Sequence, residues 1–307
     1  MNSDGRRGVL YGAGAYVLWG IFPLYFRLLE RSGALEVVVH RVLWSLLVCA
    51  VVVAVVRGWA QLRAVLGNRR QVVALGTAAL LLALNWGVYV YAVNSGQVVE
   101  ASLGYFVNPL VTVLLGVAVL RERLRRWQWV AVGIGGVAVL VLTVAYGRLP
   151  LIALTLACSF GLYGLIKNRV GGGVGAVTSL TTETVVLAPV ALAALVCLEA
   201  GGQGHFSADP PWQALLLAST GIATVVPLLL FASAARRVPL STMGLLQYVT
   251  PVLQLLCGVV LLGEQMPLSR WLGFALVWLA LAVLTLDTLR ASARRRALAR
   301  APEPVVA

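Results

Sequence analysis

The sequence predicts an all-α polytopic membrane protein with ten transmembrane helices arranged as two inverted five-helix repeats. Of its 307 residues, 60% are hydrophobic and 11% are charged, and the mean hydropathy is +0.92. Soluble domains carry about 25% charged residues, so the composition excludes that class. Ten apolar runs of roughly 20 residues are each long enough to cross the hydrocarbon core. They lie at 8–28, 34–56, 71–93, 98–120, 127–145, 150–166, 177–198, 213–234, 241–262 and 270–289.

An internal repeat is clearest in the fourth run, where polar and small residues recur every four positions and so follow one side of a helix. Shifted by 142 residues, the pattern returns in the ninth run. The matched positions are Asn108 and Thr250, Pro109 and Pro251, Gly116 and Gly258, Glu122 and Glu264, and Trp129 and Trp271. The chain is therefore predicted to consist of an N-terminal repeat at 1–148, a C-terminal repeat at 149–290 and a basic, disordered cytoplasmic tail at 291–307.

The basic residues predict the orientation of these repeats. With the N-terminus inside, 19 of the 24 Lys and Arg residues fall on inner segments and four on outer segments, while Arg41 lies within span two. Lys and Arg mark the cytoplasmic side, so both termini are expected in the cytoplasm of a multi-pass cell-membrane protein. Because each half has five spans, the second half enters the membrane upside down. The net charge of +13 then reflects topology, and no nucleic-acid partner is expected.

Motifs for several kinds of chemistry are absent from the sequence. There is no GxxxxGK[ST] for ATP, no GxSxG nucleophile and no HExxH, and the two histidines lie in opposite halves. The four cysteines form no CxxC pair. We therefore expect no enzyme activity, no metal site and no cofactor.

Two basic residues, His40 and Arg41, lie inside span two. A charge at membrane depth costs about 2.5–3.5 kcal/mol on insertion scales, so it usually faces a cavity or a partner. The functional interpretation is an anion-facing site in the outer half of a pathway. The alternative is snorkelling to the interface, or a structural pair with Glu36 or Glu100.

Spans three and four carry further polar groups. Span three carries Asn85, Trp86 and Tyr89, and span four carries Glu100 and Asn108. Such side chains can line an aqueous cavity, but they can equally hydrogen-bond across packed helices. Gly104, on the same stripe, would let span nine approach closely.

Candidate residues in the other spans complete the predicted site. Glu183 is a lone carboxylate in span seven and could carry a proton or hold neighbouring groups. Pro109 and Pro251 would break helix regularity near the midplane, and Asp287 is expected to pair with Arg290. The remaining candidates for substrate binding are Trp19, Tyr163, Gln247 and Thr250.

Several stretches resemble a known family. AYVLWGIFPLYF, HRVLWS, NWGVYVYAVN, EASLGYFVNPL and LLGEQ are similar to RarD-like proteins of the EamA-type branch of the drug/metabolite transporter superfamily, and the similarity runs from Arg7 to Arg290. The resemblance implies a cytoplasmic-membrane carrier for a small organic metabolite or drug-like solute, without naming the substrate.

The combined prediction is a secondary transporter that works by alternating access, with proton coupling through Glu183 or Glu100 as an option. Its expected partners are a small-molecule substrate and the lipid bilayer, and the sequence leaves a homodimer open. The alternative is a lipid-handling or structural membrane protein whose polar stripes serve only helix packing.

Overall fold

The computed structural model describes residues 3–121, 123–170, 174–206, 210–238 and 240–298. All regular secondary structure in these residues is helical. Glu122 lies outside the described residues. The helices are α1 (Ser3–Gly20), α2 (Phe22–Arg27), α3 (Ala34–Val55), α4 (Trp59–Leu66), α5 (Arg69–Asn94), α6 (Val98–Leu120), α7 (Arg126–Tyr146), α8 (Leu151–Val170), α9 (Ala176–Ala200), α10 (Pro211–Ala235), α11 (Leu240–Leu246), α12 (Val249–Leu256), a π-helical turn (Cys257–Leu261) and α13 (Leu268–Leu298).

Ten helical segments of the described chain are long and apolar enough to cross a membrane, which confirms the predicted number of spans. Span one comprises α1 and α2, and span nine comprises α11, α12 and the π-helical turn. The short helix α4 lies between spans two and three and was not predicted.

Pro109 and Pro251, the two prolines predicted to break helices near the midplane, lie in different backbone settings. Helix α6 continues without interruption through Pro109. A membrane helix tolerates the loss of one backbone hydrogen bond when neighbouring helices and side chains supply other partners. Span nine is interrupted at Gln247 and Tyr248, just before Pro251.

A second break follows Gly20 in span one, where Pro23 stands in the first turn of α2. Because proline has no N–H, it cannot donate to the carbonyl of Trp19 four residues earlier. The side-chain amide of Gln254 donates to that carbonyl instead (3.2 Å). Thr250 donates similarly to the carbonyl of Tyr16 (2.8 Å). Part of the predicted stripe in span nine therefore completes the backbone of α1.

The predicted disorder of the tail was wrong at its start, because α13 runs on to Leu298. Residues 291–298 are rich in Ala and Arg, which favour helix. Residues 299–307 lie outside the described chain.

The chain forms two compact units. One contains residues 1–108 and 151–265, and the other contains 109–150 and 266–307. Both sequence halves contribute to each unit, so the division at residue 148 remains a prediction about the repeat.

In the smaller unit, α7 packs along α13. Arg125 binds Asp287 (2.6 Å), so the expected Asp287–Arg290 pair was wrong. The guanidinium of Arg270 lies 4.1 Å from the ring centroid of Tyr146.

In the larger unit, Gly104 allows a close helix contact, though not the predicted one. A Cβ at Gly104 would lie 2.8 Å from the carbonyl oxygen of Ala153 and 2.9 Å from the Cβ of Leu156. The helix that approaches Gly104 is therefore α8, in span six. Gly258 of span nine instead packs against Val99.

Candidate functional site

A cavity of about 590 Å³ lies within the larger unit. Spans one to four and six to nine all contribute to its wall. At one end the wall includes Val174 and the exposed Ala176, where α8 has ended and α9 begins. The cavity therefore reaches the surface on the side where α3 and α8 end, which is the predicted inner side.

The opposite end is closed by apolar side chains, which we call the apolar plug. It is built from residues of α2, α3, α5, α6, α8 and α10, and of the turn after α2, that lie towards the predicted outer side. Its members are Phe22, Phe26, Leu29, Val37, Tyr89, Val90, Ala92, Val93, Val98, Ala101, Ile152, Leu156 and Leu217. Phe26 and Leu29 are almost completely buried.

Arg41 lies on the cavity wall near the plug and is 4% exposed. Its Nε donates to the hydroxyl of Thr224 (2.7 Å), and its guanidinium carbon lies 4.0 Å from the ring centroid of Trp86. Among the described residues it has no carboxylate partner. The pair with Glu36 or Glu100 considered from the sequence does not form, because Glu36 binds the ring and backbone nitrogens of His205 and Glu100 binds the first turn of α8.

The two terminal nitrogens of Arg41 are consequently available to the cavity. A planar guanidinium whose Nε is engaged still presents two parallel N–H groups, which match the two oxygens of a carboxylate. The Trp86 face stabilises the cation, and Thr224 fixes its orientation.

Tyr89 and Gln254 also line the cavity and carry unused polar atoms. The Tyr89 hydroxyl is buried and has no hydrogen-bond partner among the described residues, and the same holds for Oε1 of Gln254. A buried polar group without a partner costs about 1–3 kcal/mol. A ligand that fills the cavity can supply these partners, since Tyr89 can donate and Gln254 can accept.

Asn85 is fully engaged with protein groups. Its amide nitrogen donates to the carbonyl of Leu156 and to Ser159 Oγ, both at 3.0 Å. Its amide oxygen accepts from the Tyr105 hydroxyl (3.2 Å). Asn85 therefore joins α5, α6 and α8, as the packing alternative foresaw, although one side of it still lines the cavity.

Glu183 is not the lone carboxylate that the sequence suggested. It forms a salt bridge with Lys167 (2.5 Å) and accepts hydrogen bonds from Ser179 (3.0 Å) and Tyr163 (3.3 Å). Lys167 also donates to Ser179. Lys167, Ser179 and Tyr163 line the cavity, whereas Glu183 lies behind them.

Glu100 and Glu264 bind the first turns of helices. Glu100 accepts from the backbone N–H of Ile152 in α8 (3.0 Å). Glu264 accepts from those of Val98 and Val99 in α6 (2.5 and 2.9 Å). The first N–H groups of a helix have no partner within the helix, so these carboxylates complete helix ends and neither lines the cavity.

His40 points away from the cavity that contains Arg41. Its ring stacks on Phe206 (4.8 Å between centroids), and its Nδ1 accepts from the Trp44 indole (3.3 Å). It belongs to a second, smaller cavity of about 350 Å³. His40 and Arg41 are adjacent on one helix, so their side chains diverge by about 100°.

Of the twelve predicted binding residues, the cavity wall contains nine: Trp19, Arg41, Asn85, Trp86, Tyr89, Asn108, Tyr163, Gln247 and Thr250. His40, Glu100 and Glu183 lie elsewhere. Pro251 lines the cavity and Pro109 does not. Their roles in binding stay predictions.

Sequence reasoning overlooked Lys167 and Tyr105. Lys167 was counted only as a topology signal, although it is the one lysine among 23 arginines. Tyr105 lies three residues before Asn108, on the neighbouring part of the same helix face.

The larger unit is a multi-pass helical bundle with an internal cavity whose wall is largely apolar and carries a few buried polar and charged groups, an arrangement typical of a membrane transporter. The sequence model of the EamA-like transporter family matches the chain twice, at residues 6–144 and 149–286. The chain belongs to this family, and its RarD-like character is confirmed by the relatives.

Protein RarD of Streptomyces exfoliatus is 51% identical over 305 residues, which cover 99% of this chain and 96% of that protein. An uncharacterized transporter of Pseudomonas aeruginosa is 43% identical over 97% of this chain and 98% of its own length. One solved crystal structure matches 91% of this chain and 97% of its own chain with a TM-score of 0.55 at 22% identity, which supports the fold alone. The family match and the relatives together identify the protein as a multi-pass membrane transporter.

Proposed function

We propose that this protein is a secondary transporter that moves a small organic solute by alternating access, and that Arg41 anchors an anionic or zwitterionic group of that solute. The observation that carries the proposal is the buried guanidinium of Arg41, which lacks a carboxylate partner in the described chain and lines the cavity. An uncompensated charge at membrane depth is costly and is typically retained for function.

The two ends of the cavity support the alternating-access part of the proposal. The apolar plug closes the predicted outer end, while the wall reaches exposed Ala176 at the predicted inner end. A carrier in an inward-open state has this form, and transport requires a second state in which the plug separates.

The proposal includes a cytoplasmic position for both termini, which the charge bias of the loops supports. It also includes optional proton coupling at Glu183. Glu183 contacts Lys167, Tyr163 and Ser179 of the cavity wall. A proton on Glu183 would release Lys167 from its salt bridge.

Cysteine accessibility tests alternating access without knowledge of the substrate. In a variant without native cysteines, Ala176→Cys should react with a membrane-impermeant maleimide from the cytoplasmic side. Leu29→Cys in the plug should react slowly from the opposite side, because the outward-open state is visited during the cycle. A lipid-facing position on α9, Leu192→Cys, is the control and should stay unreactive. Permanent protection of Leu29→Cys would contradict the proposal.

The same assay tests proton coupling. The ratio of the labelling rates at positions 29 and 176 is compared with the same ratio in Glu183→Gln, because both proteins carry the same two reactive positions and each thiol contributes its own pH dependence. That ratio should change with pH, and Glu183→Gln should abolish the change. An unchanged pH profile in Glu183→Gln would remove this residue from coupling.

The alternative function is a lipid-handling or structural membrane protein. The complete hydrogen bonding of Asn85, together with the donation from Thr250 to α1, favours it, because these polar residues act in helix packing. It predicts equal protection of cysteines at positions 85, 89 and 108 from a water-soluble maleimide.

A further inference from the structure

We propose that the substrate is a monoanionic organic acid with an apolar, aromatic body and no amino group. The inference rests on the proposed function, because it concerns the same cavity. It narrows the class of solute from anionic or zwitterionic to anionic.

The charges on the cavity wall indicate that the substrate is an anion. The described residues of the wall include two cations, Arg41 and Lys167, and no Asp or Glu. Lys167 is already neutralised by Glu183. The uncompensated charge of the empty cavity is therefore that of Arg41, and one carboxylate balances it.

The hydrogen-bond donors near Arg41 indicate that the anionic group is a carboxylate. Arg41 offers its terminal N–H groups, and Tyr89 offers a hydroxyl that has no partner in the described chain. Both groups lie beside Phe26: its ring centroid is 5.4 Å from the guanidinium carbon of Arg41 and 6.0 Å from the ring centroid of Tyr89. Both are donors when they bind an anion, and a carboxylate has acceptor sites for both.

An α-amino group would be unfavourable at this position. It is attached to the carbon next to the carboxylate, so it would lie beside the guanidinium, where two like charges repel. No carboxylate in the described cavity wall neutralises that ammonium group. The unused Oε1 of Gln254 is neutral and suits a hydroxyl or amide hydrogen of the ligand better than a full cation.

The rest of the wall fits an aromatic body. Trp19, Trp86, Phe160, Tyr163 and Phe231 line the cavity, and Trp19 and Phe231 lie 5.9 Å apart between ring centroids. Aromatic rings stabilise one another in tilted or edge-to-face contacts at such distances.

Three probes that share one phenyl ring and a two-carbon chain test the proposal: 3-phenylpropionate, phenylalanine and 2-phenylethylamine. The first carries the carboxylate alone, the second both charges and the third the ammonium alone. Binding to the purified full-length protein is measured by isothermal titration calorimetry, with empty detergent micelles as the blank. We expect 3-phenylpropionate to bind at least about tenfold more tightly than phenylalanine, and 2-phenylethylamine to give no binding heat.

Variants connect the binding to the proposed groups. Arg41→Gln should weaken 3-phenylpropionate binding by about 30-fold or more, and Tyr89→Phe should weaken it several-fold. Tyr25→Phe is the matched control, because the Tyr25 hydroxyl binds Leu216 and Ser219 and is absent from the cavity wall. Unfolding curves without ligand identify any variant that fails to fold, and the comparison of the three probes on the unaltered protein needs no variant.

Two outcomes would overturn the proposal: phenylalanine or 2-phenylethylamine binding as tightly as 3-phenylpropionate, or no binding of 3-phenylpropionate at millimolar concentration. Either result with normal labelling of Leu29→Cys would refute the substrate class and leave alternating access intact. Loss of that labelling would refute the transport proposal itself.

Discussion

Replacing Thr224 with valine removes one oxygen and keeps the shape of the side chain. Thr224 Oγ1 accepts the Nε hydrogen of Arg41 at 2.7 Å, and both side chains are buried. In Thr224→Val the guanidinium would lose its one hydrogen bond to a described residue. Thr224→Ser keeps the hydroxyl and is the matched control.

The expected size of the effect depends on whether Arg41 is charged. A neutral hydrogen bond between membrane helices contributes about 0.6 kcal/mol on average. A hydrogen bond to a charged group contributes about 1.5–3 kcal/mol. We therefore expect Thr224→Val to lower the free energy of unfolding by about 1.5–3 kcal/mol, and Thr224→Ser by less than about 1 kcal/mol.

The assay is unfolding of the purified protein in mixed micelles by titration with a denaturing detergent. A monoanionic ligand should stabilise the Ser variant more than the Val variant, because the guanidinium of the latter is no longer oriented. Equal stabilities of the two variants, or a difference near 0.6 kcal/mol, would refute the assignment of a charged Arg41 held by Thr224.

Two further substitutions test the packing of the larger unit. Gly221→Ala should destabilise this unit by about 1–3 kcal/mol, because the new Cβ would lie 2.5 Å from the carbonyl carbon of Trp44. In the control Gly87→Ala the nearest atom is 4.0 Å away, so the free energy of unfolding should stay unchanged or rise. Equal unfolding curves for the two variants would contradict the contact at Gly221. Glu264→Gln should lower the free energy of unfolding by about 0.5–2 kcal/mol, because it weakens the cap of α6. The control Glu30→Gln alters an exposed carboxylate and should lower it by less than about 0.5 kcal/mol. The same detergent titration measures both values.

The number of spans could be predicted because length and hydropathy are local properties. The breaks in spans one and nine could not be placed in the same way. Pro23 and Pro109 both interrupt backbone bonding, yet α6 continues through Pro109 while span one breaks before Pro23. The difference depends on tertiary partners, such as the Gln254 amide that binds the Trp19 carbonyl.

The residues of the cavity wall could be predicted in part. Polar and aromatic residues at helical spacing marked nine of its wall residues, because few other positions tolerate such groups in lipid. Lys167 was missed since a cation near a span end is ordinarily a topology signal. Its salt bridge with Glu183 joins α8 to α9, and sequence spacing between two helices does not reveal such a contact.

We propose that the completeness of their hydrogen bonds distinguishes the binding residues from the packing residues of the cavity wall. Asn85 and Arg41 both line the cavity and looked alike in sequence as polar groups within spans. Asn85 has partners for both ends of its amide, so a ligand would have to displace a protein bond to engage it. Arg41 and Tyr89 retain unused donors in the described chain, so a ligand adds bonds there without breaking any. The free energy available for binding is therefore concentrated at Arg41 and Tyr89, and substitutions of Asn85 should change stability before they change affinity.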